Sequence, residues 1–402
     1  MTKKLYLDDS YLTQIEAVVT ACAAFEDNYA VELNETVFYP TGGGQPHDTG
    51  FLGDIPVIDV REENERVLHI TQKPLNVGDI VTAKIDWPRR LDHMRQHAGE
   101  HLLSFAAKEL FGAINVGFHM AATYCTIDID IPLDASQVKT LEERTNELIL
   151  ENLPVFIRYA QPDELDDIPL RKRAAGLEGI IRIVYMPGGD SCTCCGTHVK
   201  NTGEIGSILI TAADHYKGGE RLTFVCGKRA NAHSRSIQNI VSELARSYSC
   251  QAGDLIAAIQ KQQQQMAALK RENGILNAKL NAYIMEELSE NARQAGRVRL
   301  IVKQLDTAAS QLRPLALALC KQPSVFSLLL ASEGENVNYV LCRSENLKHD
   351  MGEFAPIVNA ALNARGGGRQ ALAQGSAKLT GGINEALKQL EDYFEKRLMA
   401  EK

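Results

Sequence analysis

The chain of 402 residues has one tryptophan, 6% aromatic residues and no apolar run near the ~18–20 residues of a membrane span. No membrane association is therefore expected. After Lys3 and Lys4 the opening "MTKKLYLDDS" lacks an apolar core, so it does not read as a secretion signal. The nine cysteines, at 22, 125, 192, 194, 195, 226, 250, 320 and 342, are odd in number and form no regular disulfide framework. A reducing, cytoplasmic setting is expected, where clustered Cys and His point to metal or redox chemistry. Two nucleotide motifs are missing as well. The glycine-rich stretch at 42–44 has no Lys-Ser/Thr ending and opens no helix, so it is neither a Walker loop nor a dinucleotide fingerprint.

Charge is short on the positive side: the net is −8, which argues against an indiscriminate polyanion binder. Its distribution is uneven, with −16 over residues 1–170 and +5 over 171–240. The basic segment includes "RKR" at 171–173 and "GKR" at 227–229, and it contains the densest Cys/His cluster in the chain. A basic face beside a metal site suits a phosphate backbone; a merely solvated face is the plainer alternative.

Residues 1–85 alternate as short strands between turn residues and form a β-rich subdomain. Asp86-Trp87-Pro88 opens a helix, apolar residues at 91, 94, 98, 102, 105, 106 and 110 keep its period, and Gly112 stops it. Strands around a helix near 136–152 complete an α+β, metal-binding domain over 86–230. From 231 to 295 there is no proline. There Ala252, Leu255, Ile259, Gln262, Met266, Leu269, Asn273, Leu276, Leu280 and Tyr283 make a heptad seam, which fits a coiled coil or an intramolecular helical hairpin. Residues 296–402 return to α/β. The fold class expected is α+β.

The stretch "SCTCCGTHVKNTGEIG" places Cys194 four residues before His198, and the helix at 86–111 carries His97 and His101, also four apart on one face. Two imidazoles from a helix with a thiolate and an imidazole from a turn make the donor set of tetrahedral Zn²⁺, whereas magnesium and calcium want oxygen. Rivals remain at this point. His93 extends the helix series, Cys192 and Cys195 compete with Cys194, and Cys192-x-x-Cys195 is spaced as a redox pair. "HAGEH" is not the zincin H-E-x-x-H, because Glu100 stands beside the second histidine. "FYPTGGGQPHDTG", Phe38 to Gly50, is either a tight hairpin turn or a backbone surface that a ligand approaches closely.

Taken in order, "FYPTGGGQPHDTG", "HMRQHAGEHLLS" and "CCGTHVKNTGEIG" resemble the editing domain of alanyl-tRNA synthetase and the free-standing AlaX-type editing proteins, with the threonyl-tRNA synthetase editing domain more distant. The family's H-x-x-x-H and C-x-x-x-H zinc motifs fall on His97, His101, Cys194 and His198. "ARGGGRQALAQGSA" resembles the DHH-associated domain, with Gln370-Ala371-Leu372 where relatives often have Pro and Asp. The 85 residues before the metal helix are too few for a class II aminoacylation core, and Asp92-His93-Met94 only echoes a DHH motif, so a large AlaX form that edits in trans is implied.

The resemblance implies hydrolysis of mischarged tRNA(Ala), chiefly Ser-tRNA(Ala) with Gly-tRNA(Ala) as a second candidate, at a zinc site. A pocket made for alanine cannot exclude glycine and excludes serine poorly, so a second, hydrolytic site is physically sensible. Substrate-binding candidates are Gly42, Gly43 and Gly44, with Thr41 and Thr126 for the serine hydroxyl and Gln45 and His119 lining the pocket. The catalytic residues stay unassigned: no side-chain nucleophile stands out, and the attacking species expected is water, either activated or positioned at zinc or, with a structural zinc, oriented by pocket groups. The implied partners are tRNA(Ala) and a second copy, through the helical linker or the C-terminal domain. The competing readings are a tRNA-binding protein with a structural zinc and no catalysis, and a redox or metal sensor using Cys192, Cys194 and Cys195.

Overall fold

The computed structural model describes residues 2–172, 179–378 and 383–400. Arg173 of the basic run therefore lies outside the described residues. Helices and sheets mix as an α+β protein, and the chain divides into compact units at 1–252 and 253–402.

In the first unit six antiparallel strands close a barrel in the order Gln14–Phe25, Asn28–Leu33, Arg66–Thr71, Ile55–Glu63, Gly50–Leu52 and Ile80–Ile85. Alternation makes it: in Ile80–Ile85, Val81, Ala83 and Ile85 point inward to join Val19, Val31, Leu33, Val57 and Val67. The barrel hands directly to helix α1, Trp87–Phe111. Asp86 caps α1 by accepting from Arg89 N, Pro88 occupies the first turn, and Gly112 ends the helix in the left-handed region at φ 69°.

Helix α1 is buried nearly all round, a length that includes Arg90, Gln96, His97, Glu100, His101 and Ser104. A buried helix carrying this many polar groups needs each of them partnered or working. Gly99 shows how tightly it sits, since a Cβ there would meet Cys226 Sγ at 2.3 Å. Helix α1 and helix α2, Ala135–Leu150, pack on a four-stranded antiparallel sheet ordered Ile208–Tyr216, Gly219–Cys226, Cys125–Ile129, Asn115–Met120. A second, three-stranded sheet of Phe156–Ala160, Ile181–Tyr185 and Ser191–Thr193 carries the cysteine turn. Helix α3, Lys228–Ser247, ends the unit's regular structure.

In the second unit helix α4 runs Leu255–Glu290, 36 residues or roughly 54 Å. The C-terminal sheet is mixed: six strands, with Val298–Leu305 and Val325–Glu333 parallel and the others antiparallel. At the C-terminal end of α4, Leu288 joins Leu312, Leu315 and Leu319 in the core. Farther up the heptad seam, Met266, Leu269, Leu276, Leu280 and Tyr283 are exposed. No helix among the described residues is long and apolar enough to cross a membrane.

Candidate metal centre

His97 and His101 project from one face of α1 toward the turn that follows Ser191–Thr193, and the turn returns Cys194 and His198. All four offer ligand atoms within 4.8 Å of one another. Cys194 Sγ lies 3.5 Å from His97 Nε2 and 3.3 Å from His198 Nε2. A tetrahedral Zn²⁺ with its usual bond lengths has N···S edges of about 3.6 Å, so the donor set fits the ion as it stands. The Gly196 amide donates to Cys194 Sγ at 3.3 Å. Burial keeps His198 neutral, its pKa lowered to about 3.

Each helix histidine is fixed from behind. The Thr197 backbone N–H, which can only donate, points at Gln45 Oε1 at 3.2 Å, and this identifies that atom as the carbonyl. Gln45 Oε1 is also 2.8 Å from His97 Nδ1, so Nδ1 carries the proton and Nε2 is left for a metal. Asp190 does the same for His101 at 2.9 Å, and is itself held by Arg171 at 2.5 and 3.0 Å. Burial would raise the Asp190 carboxyl, yet bonds from His101 and Arg171 hold it far below the usual range. Histidine ligands are ordinarily oriented in this way. Because the Arg171 guanidinium already occupies Asp190, the group His101, Asp190 and Cys192 reads as the support of His101.

The rivals are thereby placed. Cys192 Sγ is 3.5 Å from His101 Nδ1, on the Asp190 side of the ring, and burial raises its thiol. Cys195 is exposed. His93, one turn before His97, is buried against Arg89, Arg90 and Arg229, with its pKa lowered to about 3, first by burial and then by those charges.

A cleft of about 570 Å³ opens on the centre, lined among others by Tyr39, Thr41, Gly42, Gly43, Glu100, Phe118, Lys172 and Arg182. Gly42 and Gln45 bond each other across a two-residue turn, with Gly43 and Gly44 both at positive φ. The glycine motif is thus a hairpin turn that also forms a cleft wall. At Gly44 a Cβ would meet Phe118 Cδ1 at 2.7 Å. Among the substrate-binding candidates, Thr41, Gly42 and Gly43 line the cleft, whereas Gly44, Gln45, His119 and Thr126 do not. Gln45 is fully buried behind His97. His119 and Thr126 are paired neighbours on the outer sheet, across from each other in register. Sequence reading missed Glu100, Asn115 and Asp190 at the centre. Asp190 had one signal, an acid two residues before the cysteine cluster.

The basic segment is largely consumed internally. Arg171 binds Asp190, Arg221 binds Asp128, Arg229 binds Asp92, and Arg182 donates to the carbonyls of Leu7, Cys194 and Gly196. Lys172 is exposed at the cleft.

Three family models match the chain. They are the threonyl and alanyl tRNA synthetase second additional domain over residues 181–226, tRNA synthetases class II (A) over 10–89, and the DHHA1 domain over 297–396. Among curated proteins, the alanyl-tRNA editing protein Aarsd1 of Rattus norvegicus is 29% identical, covering 96% of this chain and 96% of that protein. The Bos taurus protein of the same name is 31% identical over 73% of this chain and 70% of its own length. The alanyl-tRNA editing protein AlaX-L of Pyrococcus horikoshii is 28% identical over 98% of this chain and all of its own.

Proposed function

The chain belongs to the alanyl-tRNA editing proteins, and on that premise we propose that it removes wrongly attached amino acids from tRNA(Ala) in trans. Ser-tRNA(Ala) is the main substrate of this reading and Gly-tRNA(Ala) the second. The observation that carries it is the convergence of His97, His101, Cys194 and His198, the first three lining an open cleft, each helix histidine with its coordinating nitrogen freed by a partner.

These four residues would hold Zn²⁺, which supplies polarisation of the ester carbonyl when bound. Gln45 and Asp190 keep the ring orientations that make this possible. The Gly42-Gly43 wall lets the aminoacyl end pass close to the backbone, and Thr41 stands on the same wall for the serine hydroxyl. Exposed Lys172 offers the cleft a positive charge for the phosphates of the acceptor end. The division of labour proposed with it keeps 1–85 as the β-rich part, 86–230 as the editing domain, 231–295 as linker and 296–402 as the DHH-associated domain. A homodimer through the helical linker or the C-terminal domain belongs to the same proposal, and sedimentation at graded concentration tests it.

The function is tested by incubating zinc-loaded protein with Ser-tRNA(Ala) and Ala-tRNA(Ala), with Cys194→Ala in parallel. Loss of the seryl ester alone, abolished by the substitution, supports the reading. Retention of both esters despite tRNA binding leaves a tRNA-binding protein with a structural zinc.

A further inference from the structure

Glu100 is the one acid in the centre without an assigned task. Its motif, His97-Ala98-Gly99-Glu100-His101, has the order H-x-x-E-H, the inverse of the zincin motif and one that zinc hydrolases also use. Three residues after His97, Glu100 falls on the same side of α1. Glu100 is 6% exposed and lines the cleft.

Its two oxygens are treated differently. Oε1 accepts from Ser104 Oγ at 2.7 Å and from Asn115 Nδ2 at 2.7 Å, and these two donors are themselves 2.8 Å apart. The carboxylate is thereby locked in one orientation. Oε2 has no hydrogen-bond donor among the described residues and lies 3.8 Å from His101 Nε2, the nitrogen turned toward the metal ligands. Glu100 lines the cleft, so Oε2 is left to bond with whatever occupies it, where an ester and a water must meet.

We propose that Glu100 is the catalytic base of the hydrolysis, an inference that rests on the reading of the site as an aminoacyl-ester hydrolase. Oε2 takes a proton from the attacking water as the water oxygen bonds to the ester carbonyl carbon. The carbonyl π electrons move onto its oxygen. When the tetrahedral adduct collapses, the bond from that carbon to the ribose oxygen breaks, and the proton on Glu100 passes to the leaving ribose oxygen. Free amino acid and tRNA with its hydroxyl restored are the products, and Glu100 returns to carboxylate. Ser104 and Asn115 are positioning residues, since they act only through Oε1.

The test compares wild type with Glu100→Gln, which keeps shape but cannot take the proton, in single-turnover hydrolysis of Ser-tRNA(Ala). Zinc content and tRNA affinity are measured on the same samples. The expected result is a rate lower by about 10²–10⁴-fold with both other quantities unchanged. Glu100→Ala should lose as much and regain part of its rate with added formate, which returns a carboxylate to the vacated space. Rescue of this kind does not follow from a structural role, and it holds even where the glutamine variant folds poorly. A Glu100→Gln rate within about threefold of wild type, where a base should count for at least a hundredfold, overturns the proposal. So does loss of zinc in that variant, or an Ala variant deaf to formate. An inactive wild type is a separate result and overturns the functional reading along with this one.

Discussion

The side-chain carbonyl of Gln45 sits 2.8 Å from Nδ1 of His97, and the amide of Thr197 fixes which end of Gln45 is the carbonyl. The glycine motif and the metal helix are thus joined by a hydrogen bond that sets a tautomer. Gln45→Ala should weaken zinc binding by about 10–100-fold while leaving the helical signal intact, as loss of an orienting partner does elsewhere. Competition against a graded chelator reads the affinity. A variant with wild-type affinity would sever this link between motif and metal.

Asp48, three residues further along the same motif, forms a fully buried ion pair with Arg90 of α1. Arg90 also donates to the Ser10 and Val37 carbonyls, and Asp48 accepts from Tyr39 N at 2.7 Å. Removing one partner strands the other charge without water. Asp48→Ala should therefore lower stability by about 3–5 kcal/mol in urea unfolding. Asp48→Ala with Arg90→Met should cost clearly less than the two single changes summed, because the stranded charge is gone. Additive costs would mean that the two residues do not act as a pair.

Three cysteines crowd the turn, and the geometry separates them. Cys194→Ala should abolish stoichiometric zinc, because its sulfur is within ligand distance of His97 and His198. Cys192→Ala should keep the metal, its sulfur lying by the rear nitrogen of His101. Exposed Cys195 should be the thiol of the turn that a bulky alkylating reagent reaches first, since Cys192 is buried and Cys194 half-buried. Metal analysis of the variants and mass mapping of the alkylated protein decide each point. Zinc loss on Cys192→Ala would move that residue into the ligand set.

Helix α1 was legible because local rules govern it: a cap at Asp86, Pro88 in the first turn, a 3.6-residue period and a glycine stop all agree. The four metal-ligand candidates were legible for the same reason, as two i,i+4 pairs. Partners that act from a distance in sequence were not. Gln45 reads as a pocket residue from its motif, and nothing in one dimension says that its carbonyl turns to a helix 52 residues away. Asp190 is an ordinary acid until the fold brings Arg171 to it, and the spacing of Glu100 from His97 says nothing of the Asn115 that holds it. Thr126 and His119 failed as cleft residues because strand parity, not polarity, decides which sheet face a side chain joins.

His69 lies in the barrel with both nitrogens engaged, Nδ1 at 3.0 Å from the Val31 carbonyl and Nε2 at 2.8 Å from Thr36 Oγ1. Burial lowers its pKa to about 4. In the unfolded chain it titrates near 6.5, so between these values the unfolded state binds the extra proton. Stability contributed by neutral His69 is therefore fully present above pH ~6.5 and is lost as pH falls toward 4, at up to about 1.4 kcal/mol per pH unit. Urea midpoints measured from pH 7.5 to 4.5 should fall more steeply for wild type than for His69→Gln, which cannot be charged. The two curves should converge at the acid end, where the wild type has lost this contribution. Parallel curves would mean that His69 takes up its proton in the fold without penalty, and the barrel would then have to open around it, since a buried imidazolium against a carbonyl and a hydroxyl has no counter-ion there.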